Sequence, residues 1–296
     1  MTKHNPAVLA GLAVRLTHRD RTLMHLIWEH RVLTSPQIAQ LAFDSDDTAR
    51  KRLLTLHRLG VLERFAPRLP PGLGTAPYHY VLGEYGAAVL AAEDGLDTAE
   101  FGYRRDRAIA IAYSHKLAHT VGVNGFFTAL TAHANRVSTA RLITWWPEHR
   151  CTQHWGDIAQ PDAYGRWTEN GETIDFFLEY DTGTETLDRV VRKLDRYTQL
   201  HQTTGIATPI LFWLTGDRRE ANLRKRLQAH PAAGALPIAT ASRSALTGPL
   251  NEGPAADLWL PLHTKAPRRR LARLTQVWPH PAAPRQLAHT DLEDAL

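Results

Sequence analysis

The residues with the clearest chemical potential lie between Pro161 and Tyr197. In TIDFFLEYDTGTET, Ile174, Phe176, Leu178 and Tyr180 alternate with Thr173, Asp175, Phe177, Glu179 and Asp181. This period of two predicts a strand with one apolar face and one face bearing carboxylates. Carboxylates on a buried strand are costly to desolvate unless a cation, a metal or a basic side chain meets them. Asp162 falls on the strand expected around Ile158–Tyr164. Joined to the three carboxylates Asp175, Glu179 and Asp181, it gives an acidic cluster suited to a metal ion at a sheet edge or cleft.

Other constellations carry less. His115 and His119 stand four apart and could face one way on a helix, but with no third ligand in view, packing is the simpler reading. His149, Cys151 and His154 have a zinc-like spacing, yet the neighbouring Trp145, Trp146 and Trp155 suggest a buried edge. No Walker A loop, dinucleotide-binding glycine pattern or serine-nucleophile elbow occurs, so nucleotide hydrolysis and acyl transfer lack support.

The elements that must hold these residues follow from composition and periodicity. With 296 residues, 43% hydrophobic and 22% charged, the chain suits two globular domains. No apolar run is long enough for a membrane-spanning helix, and the single Cys151 excludes an internal disulfide. A cytoplasmic protein without membrane contact is expected. The net charge of +5, mostly arginine, fits phosphate contact, although a GC-rich genome would also favour arginine.

Residues 15–92 predict a winged helix-turn-helix. Thr17 caps a first helix ending near His30, and Thr34-Ser35-Pro36 opens a second. A third starts at Asp46 or Asp47, buries Ala49, Leu53, Leu56 and Leu59, and stops at Gly60. Its outer positions, Thr48, Lys51, Arg52, Thr55 and Arg58, have the chemistry to read base edges and phosphates of double-stranded DNA. Strands over Val61–Phe65 and Tyr78–Leu82 flank a Pro/Gly-rich tip carrying Arg68, which forms the wing. The competing use of such a module is protein contact. A small helix over Gly83–Ala92 could pack under the wing or support a dimer.

Residues 93–106 lose periodicity and read as a linker. Then come a long helix, Arg107–Asn135, a strand at Ala140–Trp146, the two acidic-cluster strands, and a helix at Glu185–His201. A strand at Pro209–Leu214, a helix at Arg218–Ala229 and a strand near Leu236–Thr240 complete a domain over 107–262. Residues 263–296, basic and Pro-rich, predict a disordered tail.

This second order, α-β-β-β-α-β with Pro161-Asp162 on one strand and Glu179-Tyr180-Asp181 on the next, resembles the PD-(D/E)XK nuclease fold. The fold class is therefore α/β with two domains. The resemblance implies that Asp162 and Glu179 hold Mg²⁺ or Mn²⁺. Asp181 stands where the family has its lysine, and Lys193 on the following helix is the substitute; Asp162, Glu179, Asp181 and Lys193 are thus the candidate catalytic set. His119, Asn124 and Tyr197 are expected to line the same cleft. The phrases APYHYVLGEYGAAVL and FFLEYDTGTETLDRVVRKLDRY make most of residues 15–240 similar to the replication-relaxation family of actinobacterial plasmids and mobile elements. That resemblance implies a DNA-binding role in replication or relaxation, with plasmid replication proteins as partners, and fits a metal-dependent nickase. It fits equally a non-enzymatic transcription or replication regulator whose second domain is a degenerate nuclease fold used for homodimerisation or partner binding.

Overall fold

The computed structural model describes residues 6–69, 72, 74–246, 252–264 and 267–278. They form a mixed α/β protein with two compact units, one up to Thr128 and one from Ala129.

The first unit begins with α1 (Pro6–Arg15), α2 (His18–His30), β1 (Leu33–Thr34), α3 (Ser35–Ala42) and α4 (Asp46–Arg58). β2 (Leu62–Phe65), β3 (His79–Leu82) and α5 (Glu84–Glu93) follow. The helix starts are chemically fixed. Thr17 and Thr34 each make a capping box, with Asp20 and Gln37 returning a carboxylate or amide oxygen to the cap N–H. For α4 the cap is Ser45, one residue before the expected aspartates, its hydroxyl accepting from Thr48 N–H. Leu23, Ile27, Ile38, Leu53 and Leu56 bury one side of α2, α3 and α4, together with Leu33 of the antiparallel sheet β1-β3-β2. Gly60 ends α4 at φ 67°, and a Cβ there would stand 2.8 Å from the Tyr85 ring, so a side chain is excluded twice over.

Two expectations differ here. Residues 93–106 are not a free linker: Phe101 stacks on Trp28 at 4.8 Å, and the Tyr103 hydroxyl donates to Leu82 O at 3.1 Å. The long helix expected from Arg107 is interrupted. α6 (Arg105–Ala110) passes into a 3-10 turn at Ile111–Tyr113, and α7 runs from Leu117 to Ala134. Ser114, extended at ψ 135°, accepts from Lys116 N–H through its hydroxyl, which diverts the backbone from helical pairing. His115 therefore lies in a turn, off the helix that carries His119.

The second unit is built on a six-stranded sheet, order β4-β5-β6-β7-β8-β9. Its elements are β4 (Ala140–Pro147), α8 (Glu148–Trp155), β5 (Ala163–Glu169), β6 (Glu172–Tyr180), α9 (Leu187–Thr204), β7 (Ile210–Leu214), α10 (Asp217–Ala229), β8 (Ile238–Ser242) and β9 (Leu260–Pro261). Asn170 and Gly171, at φ 51° and 81°, close the β5–β6 hairpin with the backbone twist that antiparallel strands favour. β6, β7 and β8 are parallel, which requires the crossovers supplied by α9 and α10.

Both faces of β6 are covered, so the expected polar face is an interior one. Phe177 packs with Trp155, Val190, Leu194, Tyr197 and Phe212 under the helices, while Ile174, Phe176 and Leu178 are buried opposite. The strand expected around Ile158–Tyr164 starts later, at Ala163. The amides of Ile158 and Ala159 both donate to Trp155 O to close α8, and Pro161 has no amide to give. Asp162 thus sits just before β5 rather than within it. Residues 267–278, expected as part of a disordered tail, are packed: Leu271 and Leu274 are fully buried, Arg268 pairs with Glu220 at 2.8 Å, and Arg270 with Glu169 at 2.7 Å. Residues 279–296 of that expectation lie outside the described residues.

Candidate functional site

β6 ends with Glu179 on the face covered by α9, and the antiparallel hairpin sets the start of β5 beside it. Asp162, one residue ahead of β5, accepts from Tyr180 N–H through Oδ2 at 2.7 Å, which anchors its carboxyl at the strand end. Lys193 and Tyr197, four apart on α9, both turn toward Glu179. The Lys193 ammonium donates to Glu179 Oε2 and stands 3.7 Å from Asp162 Oδ1. The Tyr197 hydroxyl donates to Glu179 Oε1. Four of the residues expected to act together are therefore joined: Asp162, Glu179, Lys193 and Tyr197.

The electrostatics are uneven. Glu179 is only 3% exposed, and burial pushes its carboxyl up to about 7; the Lys193 charge opposes this and the Asp162 charge adds to it. Burial also acts against the Lys193 ammonium, but the two carboxylates outweigh it and hold the lysine protonated well above its usual range. Burial and the neighbouring Glu179 raise the Tyr197 phenol strongly, so it remains a donor. Cys151 lies near enough to feel both acids, and burial first of all drives its thiol upward, so it is an inert part of the core. Lys193, with a third of its side chain exposed, forms the opening of the cluster to solvent.

Asp181 is outside this group. It closes a turn onto Gly183 N–H and forms a two-pronged pair with Arg219 of α10, which also donates to Glu185 O. Asp175 likewise has its own partners, Arg166 and the Tyr164 hydroxyl on β5. Asn124 does not line the cluster: it belongs to the first unit, where its amide donates to His30 O and Val32 O and clamps the α2–β1 turn. His119 also falls in the first unit.

Can the acids hold a divalent cation? Among the described residues no three His, Cys, Asp or Glu side chains gather in a way that could hold a metal ion. Magnesium, however, keeps several waters and is commonly bound by one or two carboxylates plus substrate phosphate. Two adjacent hard-oxygen donors, one buried and one at the opening, meet that lower requirement. The residues fit Mg²⁺ or Mn²⁺ if Lys193 yields Glu179 Oε2.

In the first unit, α4 presents Thr48, Lys51 and Arg58 at the surface. Lys51 is paired only with the exposed Asp47 at 2.6 Å, and Arg58 has no ion-pair partner among the described residues. Thr55 is half-buried and returns its hydroxyl to Lys51 O. Arg52 differs: it grips the fully buried Asp20 through two nitrogens and donates to Arg15 O, so it is a structural residue rather than a surface contact. Arg68 is exposed on the β2–β3 loop; Pro70, Pro71 and Leu73 of that tip lie outside the described residues. Sequence reasoning missed Arg64, whose guanidinium covers the half-exposed Tyr78 ring at 4.1 Å where the loop begins and ends. Its position on an edge strand facing an aromatic was the available signal.

Residues 24–211 match the family model described as replication-relaxation, more than half of the chain, and the chain belongs to that family. No curated protein and no solved structure matches it. Among the described residues, no helix is long and apolar enough to cross a membrane.

Proposed function

We propose that this member of the replication-relaxation family is a DNA-binding protein of plasmid or mobile-element replication, with a metal-dependent centre for phosphodiester chemistry in its second unit. The first unit docks on duplex DNA as a winged helix, α4 meeting the major groove through Thr48, Lys51 and Arg58, and the β2–β3 loop reaching the backbone through Arg68. The order of α2, α3, α4 and the β1-β3-β2 sheet supports this docking mode.

One observation carries the catalytic part: Asp162, Glu179 and Lys193, separated in sequence and drawn from a loop, a strand and a helix, converge on one point. Asp162 and Glu179 would hold the cation, which supplies Lewis-acid polarisation of a phosphodiester oxygen. Tyr197 fixes the Glu179 carboxyl by its hydrogen bond. Lys193, kept protonated, stabilises negative charge that builds on the phosphate. In this role its present bond to Glu179 is a resting contact, exchanged for the substrate.

Incubation of the purified chain with supercoiled plasmid and Mg²⁺ or Mn²⁺ tests the reading. Nicked circles are expected, and Asp162→Asn should remove them while leaving mobility shifts of linear duplex intact. A second reading is favoured by the engagement of both Glu179 oxygens: the cluster is a sealed remnant, and the protein regulates replication or transcription without cleaving. Normal duplex binding with no nicking in either metal decides for that alternative.

A further inference from the structure

The outer face of α9 carries a second array of charges that neither the acidic cluster nor α4 uses. Arg189, Arg192 and Arg196 follow the spacing i, i+3 and i+7, which sets them on one side of the helix. All three are exposed. The same helix also bears Asp188 and Asp195, which by spacing neighbour Arg192 and would cancel the array if they paired with it. Each is engaged elsewhere. Asp188 is taken by Arg226 of α10, and Asp195 stands 3.3 Å from His230, just beyond α10. The acids of α9 are thus turned toward its neighbour, and the arginines are left on the flank that faces away from it.

That flank has a position as well as a charge. Lys193, the opening of the acidic cluster, lies one residue from Arg192 and four from Arg189, at the inner margin of the array. Arg196 Nη1 reaches 3.5 Å from Ile158 O, on the loop that leads to Asp162. Arg192 has no hydrogen-bond or ion-pair partner among the described residues, and Arg189 has only Glu185 one turn away, at 3.3 Å. From Arg189 to Arg196 the helix rises about 10 Å, close to three nucleotide steps at roughly 3.4 Å per strand.

We infer that Arg189, Arg192 and Arg196 form a phosphate track that holds one strand of duplex DNA across the mouth of the Asp162–Glu179–Lys193 cluster. The track gives the second unit its own hold on DNA, separate from α4, and leads a backbone phosphate to Lys193. It rests on the proposed reading only in taking DNA as the polyanion; it needs neither cleavage nor metal.

The test is fluorescence anisotropy of the full chain with a labelled random-sequence duplex, in EDTA, across a salt series. Arg192→Gln/Arg196→Gln should weaken binding and lower the slope of log affinity against log salt by about 2, since each phosphate contact contributes roughly 0.9. Arg192→Lys/Arg196→Lys should restore most of the slope, because point charge is enough for backbone contact. Lys51→Ala/Arg58→Ala should lower the slope separately, and the two pairs of changes should add. An unchanged slope in the glutamine variant, with an unchanged thermal midpoint, overturns the track. So does loss of all salt-dependent binding in the α4 variant alone. If the α4 variant binds normally while the α9 variant fails, the docking mode of the first unit is wrong and the track stands.

Discussion

Asp20 and Glu179 are both buried carboxylates met by one cation, and they behave in opposite ways. Asp20 accepts from Thr17 N–H at 2.7 Å, from the Thr17 hydroxyl at 2.7 Å and from Arg52 through two nitrogens. Burial raises its pKa, but the Arg52 and Thr17 bonds together overcome that and hold the carboxyl below its ordinary range. Glu179 has one lysine, shared with Asp162, and one phenol, and burial wins. The pairing recurs in the second unit, where the carboxylates of Asp181, Glu220 and Glu169 are each met by an arginine, Arg219, Arg268 and Arg270. A planar guanidinium can satisfy both oxygens of a carboxylate, as Arg52, Arg219 and Arg268 do, and stays charged, whereas an ammonium is a point charge that can be redirected. The chain has used arginine where charge must be locked. At Glu179, where the charge is incompletely answered, it has a lysine.

The largest expected break in this comparison comes from Arg52→Ala. Removing it strands Asp20 inside the first unit, and equilibrium denaturation should show a loss of roughly 3 kcal/mol. Lys193→Met should cost clearly less, because Glu179 can take up a proton instead; equal losses would mean that Asp20 and Glu179 depend on their cations alike. Next in size is a pH effect. Glu179 is raised from 4.5 to about 7, so the folded chain holds a proton through that window that the unfolded chain has released. Stability from this group is therefore lost as pH rises from 4.5 through about 7, and Glu179→Gln should flatten that part of the curve. Tyr197→Phe removes a bond that favours the charged carboxylate, so the Glu179 titration followed by carboxyl carbon NMR should move upward, with a stability cost of about 1 kcal/mol. Smallest is Arg58→Ala, expected within about 0.5 kcal/mol of wild type in unfolding experiments while still weakening duplex binding.

Much of this organisation was legible in local chemistry. Thr17, Pro36 and Gly60 marked helix boundaries because capping and left-handed backbone are short-range demands that a sequence displays directly. The alternation in β6 gave its strand; Lys193 was singled out only through the resemblance to the nuclease fold, as the substitute for that family's lysine. What failed was long-range. Arg52 read as a surface cation because its partner, Asp20, lies 32 residues away on another helix. Asn124 read as a cleft residue because the carbonyls it clamps, those of His30 and Val32, are more than 90 positions distant. Asp181 could be assigned only once Arg219 was opposite it. The break at Ser114 was a local signal overlooked, since apolar periodicity continues on both sides of it.

The C-terminal arginines also set an order of assembly. The acidic cluster is closed by partners 14 and 18 residues apart, so Glu179, Lys193 and Tyr197 can meet soon after they leave the ribosome. Arg268 and Arg270 reach back across 48 and 101 residues to Glu220 and Glu169. Until they arrive, Glu169 on β5 and Glu220 on α10 wait without these cations. A nascent chain can therefore have its cluster formed while the second unit is still unlatched, and its exposure to proteases should end only when residues 267–278 have been made.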